Sequence, residues 1–242
     1  MVENLQGKTA VITGAGRGIG KAIALRLGRE GLQLTLVGRN KKNLDKVAEE
    51  ITALDGQTLQ CSGDLADPSF PSRVVQETVS RFGGLDIEIN NSGIALSKPL
   101  EETTTQDWDY QIAVNARAPF LLCREAIPHL KKSLISTVVN ISSVVGTKGY
   151  VNQGAYTASK HALMGLSKVL ARELHSSGVR VHVVSPGGVA TDLITSMRPD
   201  LLEKALISPE EMADIIWFLL SHRGNAVIDE VNVRRISNEP WK

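Results

Sequence analysis

The sequence predicts an α/β protein: a single doubly wound domain with a seven-stranded, mostly parallel sheet and helices on both faces. Short β-branched segments alternate along the whole chain with segments whose apolar residues recur every three or four positions. Strands that alternate with helices form right-handed βαβ units, which build a parallel sheet covered on both sides. The predicted strands are 8–13, 32–38, 57–62, 85–89, 134–141, 179–184 and 226–233.

The predicted helices lie between these segments, and each carries an apolar stripe at helical spacing. Such stripes pack on a sheet, so they predict helices after the first three strands and a late helix before the last strand. The stripes are Ile19, Ile23 and Leu27; Leu44, Val47, Ile51 and Leu54; Val74, Val75, Thr78 and Phe82; and Met212, Ile215, Ile216 and Leu219.

Length and composition limit the class of protein. The 242 residues fit one domain over 1–242, and the 27 basic and 26 acidic side chains leave a net charge of +1. That balance provides no field to attract nucleic acid or an anionic membrane. Cys61 and Cys123 are too few for a disulfide framework, and nothing resembles a signal peptide or a membrane-spanning segment. We therefore expect a cytoplasmic protein with no nucleic-acid or membrane partner.

The turn after the first predicted strand reads TGAGRGIG, from Thr13 to Gly20. Glycines at 14, 18 and 20 let the backbone turn tightly and let a pyrophosphate approach, and the next helix points its first N–H groups at that anion. A glycine-rich match alone is weak evidence, but the strand–turn–helix context favours dinucleotide binding over an ordinary βα turn. The sequence thus predicts a Rossmann fold.

The end of the second predicted strand indicates which dinucleotide binds. A site for NAD places a carboxylate there for the ribose 2′-hydroxyl, whereas here Gly38 occupies the position and Arg39 follows it. Arg17 lies within the glycine turn. Two guanidiniums without an acid favour a 2′-phosphate, and hence NADP(H), over the alternative that both are ordinary solvated arginines.

Tyr156 and Lys160 stand four residues apart in a predicted helix, so the phenol and the ammonium share one face. A cation beside a phenol lowers the pKa of the tyrosine, which suits general acid and base chemistry. Ser143 follows the fifth predicted strand, where its hydroxyl could bond the same substrate oxygen. Because such a pair also arises by chance on surfaces, its weight comes from the other motifs.

Together these motifs resemble the short-chain dehydrogenases/reductases over nearly the whole chain, and the closest likeness is to 3-oxoacyl-acyl-carrier-protein reductases. NNSG at 90–93 is similar to the family's NNAG, and PGGVAT at 186–191 to the loop that holds the nicotinamide. Asn115 matches the asparagine of a catalytic tetrad with Ser143, Tyr156 and Lys160. The expected cofactor contacts are Gly14, Arg17, Gly18, Ile19, Gly20, Arg39, Asp64, Leu65, Asn91, Gly93, Tyr156, Lys160, Pro186, Gly187, Val189 and Thr191.

The resemblance implies hydride transfer between the nicotinamide and a carbonyl carbon. Tyr156 is expected to protonate the carbonyl oxygen, Ser143 to orient that oxygen, and Lys160 to lower the pKa of the tyrosine. Asn115, in a long helix that Pro119 is expected to bend, would hold a water that links Lys160 to solvent. The substrate is then a small-molecule or carrier-bound carbonyl compound. Oxidation of an alcohol, hydroxy acid or sugar is the alternative, and a non-catalytic dinucleotide sensor ranks below both.

Two departures from the family pattern stand out. Glu88 lies in the fourth predicted strand, where a buried carboxylate is expensive unless it has a basic partner or a raised pKa. The C-terminus, VIDEVNVRRISNEPWK, replaces the usual VDGG-like turn of a tetramer interface. A homo-oligomer, dimer or tetramer, is still expected, with a dimer interface built on apolar positions of two long helices. Candidate positions, which the sequence leaves open between interface and core, are Leu121, Leu122, Leu163 and Leu166.

A short apolar lid and several less informative side chains complete the prediction. Leu193, Ile194, Met197 and Leu201 would form one or two helical turns over the cleft, followed by a helix that starts near Ser208. Asp107 and Asp109 are expected at a helix N-terminus. The histidines show no metal-ligand spacing, so no metal is assigned, and they are expected at the surface or at caps; they are His129, His161, His175, His182 and His222.

Overall fold

The computed structural model describes residues 3–197, 200 and 205–240, so Leu201 of the predicted lid lies outside the described residues. Seven strands form one sheet in the order β3-β2-β1-β4-β5-β6-β7. Every pairing is parallel, so the predicted seven-stranded α/β architecture is confirmed. The strands are Thr9–Thr13 (β1), Gln33–Gly38 (β2), Gln57–Ser62 (β3), Ile87–Asn90 (β4), Thr137–Ile141 (β5), Arg180–Pro186 (β6) and Glu230–Val233 (β7).

Helices connect these strands and cover both faces of the sheet. The α-helices are Gly18–Arg29 (α1), Lys41–Thr52 (α2), Phe70–Phe82 (α3), Thr105–Ile112 (α4), Ala118–Leu130 (α5), Gly154–Leu174 (α6), Asp192–Met197 (α7) and Pro209–Ser221 (α8). A π-helical turn, Ala113–Arg117, joins α4 to α5. Single 3₁₀ turns lie at Leu100–Glu102, Val144–Gly146 and His175–Ser177.

Successive side chains of β1 point to opposite faces of the sheet and belong to two separate apolar clusters of the core. Ala10 and Ile12 pack with α1, α2 and α8 on one face, whereas Val11 packs with α3, α5 and α6 on the other. Successive residues of a strand point to opposite faces, so a strand buried on both sides must be apolar throughout. This requirement explains why the predicted strands are nearly continuous apolar runs.

Local capping sets where several helices begin. Asn40 accepts a hydrogen bond from the N–H of Asn43 at the start of α2. Thr104 with Asp107, and Ser208 with Glu211, form reciprocal capping boxes at α4 and α8. Asp107 therefore lies at a helix N-terminus, as predicted, and α8 begins next to Ser208.

The long helix is irregular around Asn115, where the π turn places one extra residue in the helix. Pro119 follows this turn at the start of α5. That Pro119 bends the helix stays a prediction. The extra residue therefore accounts for the irregularity, and Asn115 is fully buried in it.

The predicted surface or capping position of His182 is wrong, and three of the four leucines left open between interface and core are buried. His182 is buried in β6, where Nδ1 lies 2.6 Å from the Ile228 carbonyl oxygen. Leu121, Leu122 and Leu163 are buried within the chain, and Leu166 is half-buried. The exposed large apolar side chains of α5 and α6 include Phe120 and Val169.

Glu88 lies inside the sheet on β4 and is 1% exposed. Its Oε1 accepts hydrogen bonds from Asn90 Nδ2 at 2.6 Å and Cys123 Sγ at 3.1 Å, and no ion pair among the described residues reaches it. Burial raises the pKa of Glu88 to about 7, although both hydrogen bonds oppose the shift. Of the two predicted alternatives for Glu88, a basic partner or a raised pKa, the structure supports the raised pKa.

We expect the stability of Glu88→Gln, relative to that of the wild type, to increase as the pH rises. Glu88 ionises near 4.5 in the unfolded chain and near 7 in the folded protein, so between these values proton loss favours unfolding of the wild type. The difference in unfolding free energy, variant minus wild type, should rise by about 2–3 kcal/mol between about pH 5 and pH 8. Urea denaturation measures it, with the exposed Glu49→Gln as control. A pH-independent difference would show that Glu88 ionises normally.

Candidate active site

The carboxyl ends of the parallel strands meet at one edge of the sheet, where they line a cleft of about 770 Å³. Ligands of open parallel sheets bind at this edge. All the predicted cofactor residues line this cleft except Gly20, which lies behind the glycine turn. Ser143, Tyr156 and Lys160 also line it, so the structure brings both halves of the predicted site together.

The glycine turn is shaped by contacts that exclude any side chain. A Cβ at Gly20 would lie 2.2 Å from the Gly14 carbonyl oxygen and 2.5 Å from Asn91 Nδ2. Gly14 and Gly18 have positive φ angles of 69° and 52°, which glycine adopts without strain. The turn therefore holds its backbone against the start of α1 and leaves the first N–H groups of the helix facing the cleft.

Asn91 connects this turn to the end of β4. Its side chain donates to the Thr13 carbonyl oxygen at 2.9 Å, and the Thr13 hydroxyl accepts from the N–H groups of Asn91 and Ser92 at 2.9 Å each. The two strands are thus fixed side by side where β1 ends. Gly93 follows in the same segment, and a Cβ there would lie 3.6 Å from both Asn115 Oδ1 and Lys160 Nζ.

The two arginines predicted to select a 2′-phosphate both reach the cleft. Arg17 pairs with Asp192 at 2.8 Å, an exposed contact that contributes little to stability. Arg39 Nη1 donates to the Tyr110 hydroxyl at 2.8 Å, which in turn donates to Asp64 Oδ2 at 3.1 Å. Burial raises the pKa of Tyr110, so this hydroxyl keeps its proton and bridges the ends of β2 and β3.

Tyr156 is buried at the floor of the cleft on α6. Burial raises the pKa of its phenol, and a hydrogen bond with Ser143 lowers it by less. The prediction that Lys160 lowers the pKa of Tyr156 is therefore wrong for this structure. Lys160 Nζ is 6.0 Å from the phenol ring centroid and donates to the Ile141 carbonyl oxygen at 2.8 Å. Burial also lowers the pKa of Lys160 to about 8.

Asn115 lies beside the cleft without lining it. Oδ1 accepts from the Ile94 N–H at 2.9 Å, and Nδ2 donates to the Ile94 carbonyl oxygen at 2.8 Å and to Ser159 Oγ at 2.9 Å. These bonds fix the segment after β4 against α6, one residue from Lys160. The water that Asn115 is expected to hold stays a prediction.

The remaining wall of the cleft is apolar and comes from the loop after β6. Val145, Tyr156 and Met197 form a small apolar cluster, with Leu193 packed against it. Leu193 and Met197 belong to α7, so part of the predicted lid is a short helix beside the catalytic residues. Thr191 also approaches the glycine turn, because a Cβ at Gly18 would lie 3.0 Å from its Cγ2.

These residues fit a dinucleotide. The glycine turn forms a cradle that a Cβ would fill, α1 has no acidic residue in its first turn to repel an anion, and no side chain caps its first N–H groups. Among the described residues, no three His, Cys, Asp or Glu side chains are grouped to hold a metal ion. No helix in the same part of the chain is long and apolar enough to cross a membrane.

Several cleft residues escaped the sequence reasoning. Tyr110 is a lone tyrosine in a polar helix, and nothing in its spacing indicates that it meets Arg39. Gln153, Arg235 and Asn238 line the cleft as well. The unusual sequence after β7 was recognised, but only the folded chain shows that Arg235 returns to the site.

Comparison with known proteins agrees with this arrangement. Residues 8–202 match the family described as short chain dehydrogenase, and the protein belongs to that family. A 3-oxoacyl-acyl-carrier-protein reductase of Thermotoga maritima is 34% identical over 235 residues, which cover 94% of this chain and 96% of that protein.

Two solved structures share the fold. A metagenomic short-chain oxidoreductase in complex with NADP has a TM-score of 0.84 and 34% identity, covering 96% of this chain and 99% of that one. An alcohol dehydrogenase of the archaeon Thermococcus sibiricus, complexed with 5-hydroxy-NADP, has a TM-score of 0.89 and 28% identity, with 97% and 99% coverage.

We expect Tyr110→Phe to weaken binding of NADPH more than binding of NADH. The variant loses the hydroxyl that holds Arg39, so Arg39 must be ordered when a 2′-phosphate binds. Ordering one side chain corresponds to about a 2- to 10-fold weaker affinity. Fluorescence titration measures both affinities, and NADH is the internal control because it lacks the 2′-phosphate. Equal losses for the two dinucleotides would contradict the role of Tyr110.

Proposed function

We propose that the protein reduces a ketone to a secondary alcohol with NADPH. The observation that carries this proposal is that Ser143, Lys160 and a buried Tyr156 line the inner end of a dinucleotide cleft together. A neutral phenol can donate a proton to a carbonyl oxygen, and the serine hydroxyl can bond the same oxygen. Family membership as a short chain dehydrogenase supports oxidoreductase chemistry on this fold.

NADP(H) is the proposed cofactor because of charge at the adenosine end. Arg17 and Arg39 line the cleft there, and Gly38 occupies the position at which an NAD site places its carboxylate. The 2′-phosphate is a ligand that guanidinium groups bind well. Structural relatives crystallised with NADP support the same choice. When bound, the reduced nicotinamide supplies the hydride for the carbonyl carbon.

The protein's own groups manage the proton. The raised pKa keeps Tyr156 protonated at neutral pH, which suits an acid that protonates the carbonyl oxygen during reduction. Ser143 stabilises negative charge that develops on the same oxygen. Lys160, with a pKa of about 8, is mostly charged at neutral pH and lies one helical turn from Tyr156, with Nζ 6.0 Å from the phenol ring centroid. Asn115 positions the segment beside Lys160 and is proposed to hold the water that returns a proton.

A 3-oxoacyl thioester is the substrate that the sequence relatives favour, since a 3-oxoacyl-acyl-carrier-protein reductase aligns over most of the chain. The apolar surface of Leu193 and Met197 beside Tyr156 accommodates an acyl chain. A cytoplasmic homo-oligomer, dimer or tetramer, is proposed with it, and the exposed Phe120 and Val169 of α5 and α6 provide apolar surface for such contacts.

Oxidation of a secondary alcohol is the second candidate function. The same tetrad serves either direction, because a group that donates a proton in reduction accepts it in oxidation. The alcohol dehydrogenase relative supports this direction. In the oxidative direction Tyr156 would act as a base in its phenolate form, which the raised pKa of Tyr156 makes scarce at neutral pH.

We expect Tyr156→Phe to lower kcat for NADPH-dependent reduction of acetoacetyl thioester by about 10²- to 10⁴-fold, because the general acid is lost. NADPH affinity should be nearly unchanged. Stopped assays at matched protein concentration measure the rate, and fluorescence titration measures the affinity.

The matched control is Tyr150→Phe, which removes the hydroxyl of a half-exposed tyrosine that lines the same cleft. Tyr150→Phe should lower kcat much less than Tyr156→Phe does. A Tyr156→Phe enzyme with a rate near that of the wild type would refute the assignment of Tyr156 as the acid.

A further inference from the structure

Arg235 is a buried cation in the cleft that the proposed mechanism does not use. It follows β7 by two residues, and the N–H of Gly187 donates to the Val233 carbonyl oxygen at 2.7 Å, so the chain after β7 lies beside the end of β6. The backbone nitrogen of Arg235 lies 4.0 Å from the position of a Cβ on Gly187. Arg235 is 8% exposed and lines the cleft together with Asn238.

The hydrogen bonds of Arg235 leave most of its donors unused. Nη2 donates to Asn238 Oδ1 at 2.8 Å, whereas Nε and Nη1 are buried and have no hydrogen-bond partner in the described part of the chain. A guanidinium has five N–H donors, and Nε and Nη1 carry three of them. No carboxylate within the described ranges forms an ion pair with Arg235.

A buried guanidinium without a counter-charge is costly, because arginine stays charged at any ordinary pH. None of the described carboxylates that line the cleft forms an ion pair with Arg235. Asp192 pairs with Arg17, Asp64 accepts hydrogen bonds from Tyr110 and Ala66, and Glu210 is exposed in the first turn of α8. Charge that is buried and unpaired at the edge of a binding cleft points to a ligand that supplies the missing anion.

We propose that Arg235, with Asn238, binds a carboxylate of the substrate, so that the protein acts on an oxo acid and its hydroxy acid in preference to the 3-oxoacyl thioester that the sequence relatives favour. This inference rests on the proposed ketone reduction at the same site. A single guanidinium matches one negative charge, whereas a dianionic phosphate normally gathers more donors and a second cation. The carboxylate accepts hydrogen bonds from Nε and Nη1, the donors that lack a partner among the described residues, and Nη2 stays with Asn238.

The reaction leaves the carboxylate unchanged. The carbonyl carbon gains a hydride from NADPH, the carbonyl oxygen gains a proton from Tyr156, and the C=O double bond becomes a C–OH single bond. The products are the hydroxy acid and NADP⁺, and Tyr156 regains its proton from solvent. Arg235 contacts only the carboxylate and orients the carbonyl group towards Tyr156.

The test compares oxo acids with their methyl esters as substrates of the purified full-length protein. Pyruvate, acetoacetate and 4-oxopentanoate vary the distance between the carbonyl and the carboxylate, and each ester removes the charge with little change of shape. We expect at least one acid to exceed its ester in kcat/KM by about 10- to 100-fold, and Arg235→Met to remove most of that preference through KM. Arg235→Lys should retain part of it.

Arg234→Met is the matched control, because it removes the same charge from the neighbouring residue. Arg234 is exposed and donates to the carbonyl oxygens of Arg235, Ile236 and Asn238, so it organises the tail outside the cleft. The control should lower thermal stability while retaining the acid-to-ester ratio. A ratio that falls equally in Arg234→Met and Arg235→Met would overturn the proposal, since disorder of the tail would then explain both.

The remaining outcomes separate this proposal from the proposed function. Turnover of esters or acetoacetyl thioester with no preference for any acid refutes the carboxylate site and leaves ketone reduction intact. A preference for dihydroxyacetone phosphate over every oxo acid refutes the carboxylate assignment in favour of a phosphate. Turnover of none of these ketones refutes the proposed function, and the carboxylate site falls with it.

Discussion

The turn between β1 and α1 is locked to the end of β4, and the rest of the site depends on that contact. Gly20 packs on the carbonyl oxygen of Gly14 with no room for a Cβ, and Asn91 bonds the backbone of Thr13 from the neighbouring strand. Because every strand is parallel, the ends of β1, β4, β5 and β6 then meet at one edge. This one junction places the glycine turn relative to the side chains that we propose to be catalytic.

Burial sets the chemistry of the groups that meet there. It raises the pKa of Tyr156 and lowers that of Lys160 to about 8, so both groups are moved by desolvation, and Ser143 only moderates the shift of the tyrosine. The pKa values of Tyr156 and Lys160 therefore follow from the depth of α6 in the fold more than from the four-residue spacing of the two side chains.

A second polar network lies behind the catalytic groups. Asn90 joins Glu88 on β4 to Asn140 on β5, and Asn140 donates to Ser167 on α6. Cys123 on α5 also bonds Glu88, so a buried carboxyl with a pKa of about 7 connects both long helices to the sheet. The network stabilises these helices when Glu88 is protonated and costs free energy when it is ionised.

Much of the fold could be predicted because alternating periodicities and the glycine turn are local signals. The clustering of Ser143, Tyr156 and Lys160 in one cleft could also be predicted, since one strand, one turn and one helix fix their spacing. Contacts between segments that are distant in the sequence could not be predicted. Tyr110 meets Arg39 from another helix, His182 is buried by the pairing of β6 with its neighbours, and the π turn at Asn115 depends on Ile94 and Ser159.

The central claim is that the cleft binds NADP(H) through Arg17 and Arg39. The most direct test is a pair of fluorescence titrations of the wild-type protein, one with NADPH and one with NADH, at the same ionic strength. The two dinucleotides differ only in the 2′-phosphate, so the ratio of their dissociation constants isolates that group. The account predicts that NADPH binds at least about tenfold more tightly, as charge-assisted hydrogen bonds to a phosphate require. Equal affinities, or tighter binding of NADH, would contradict it.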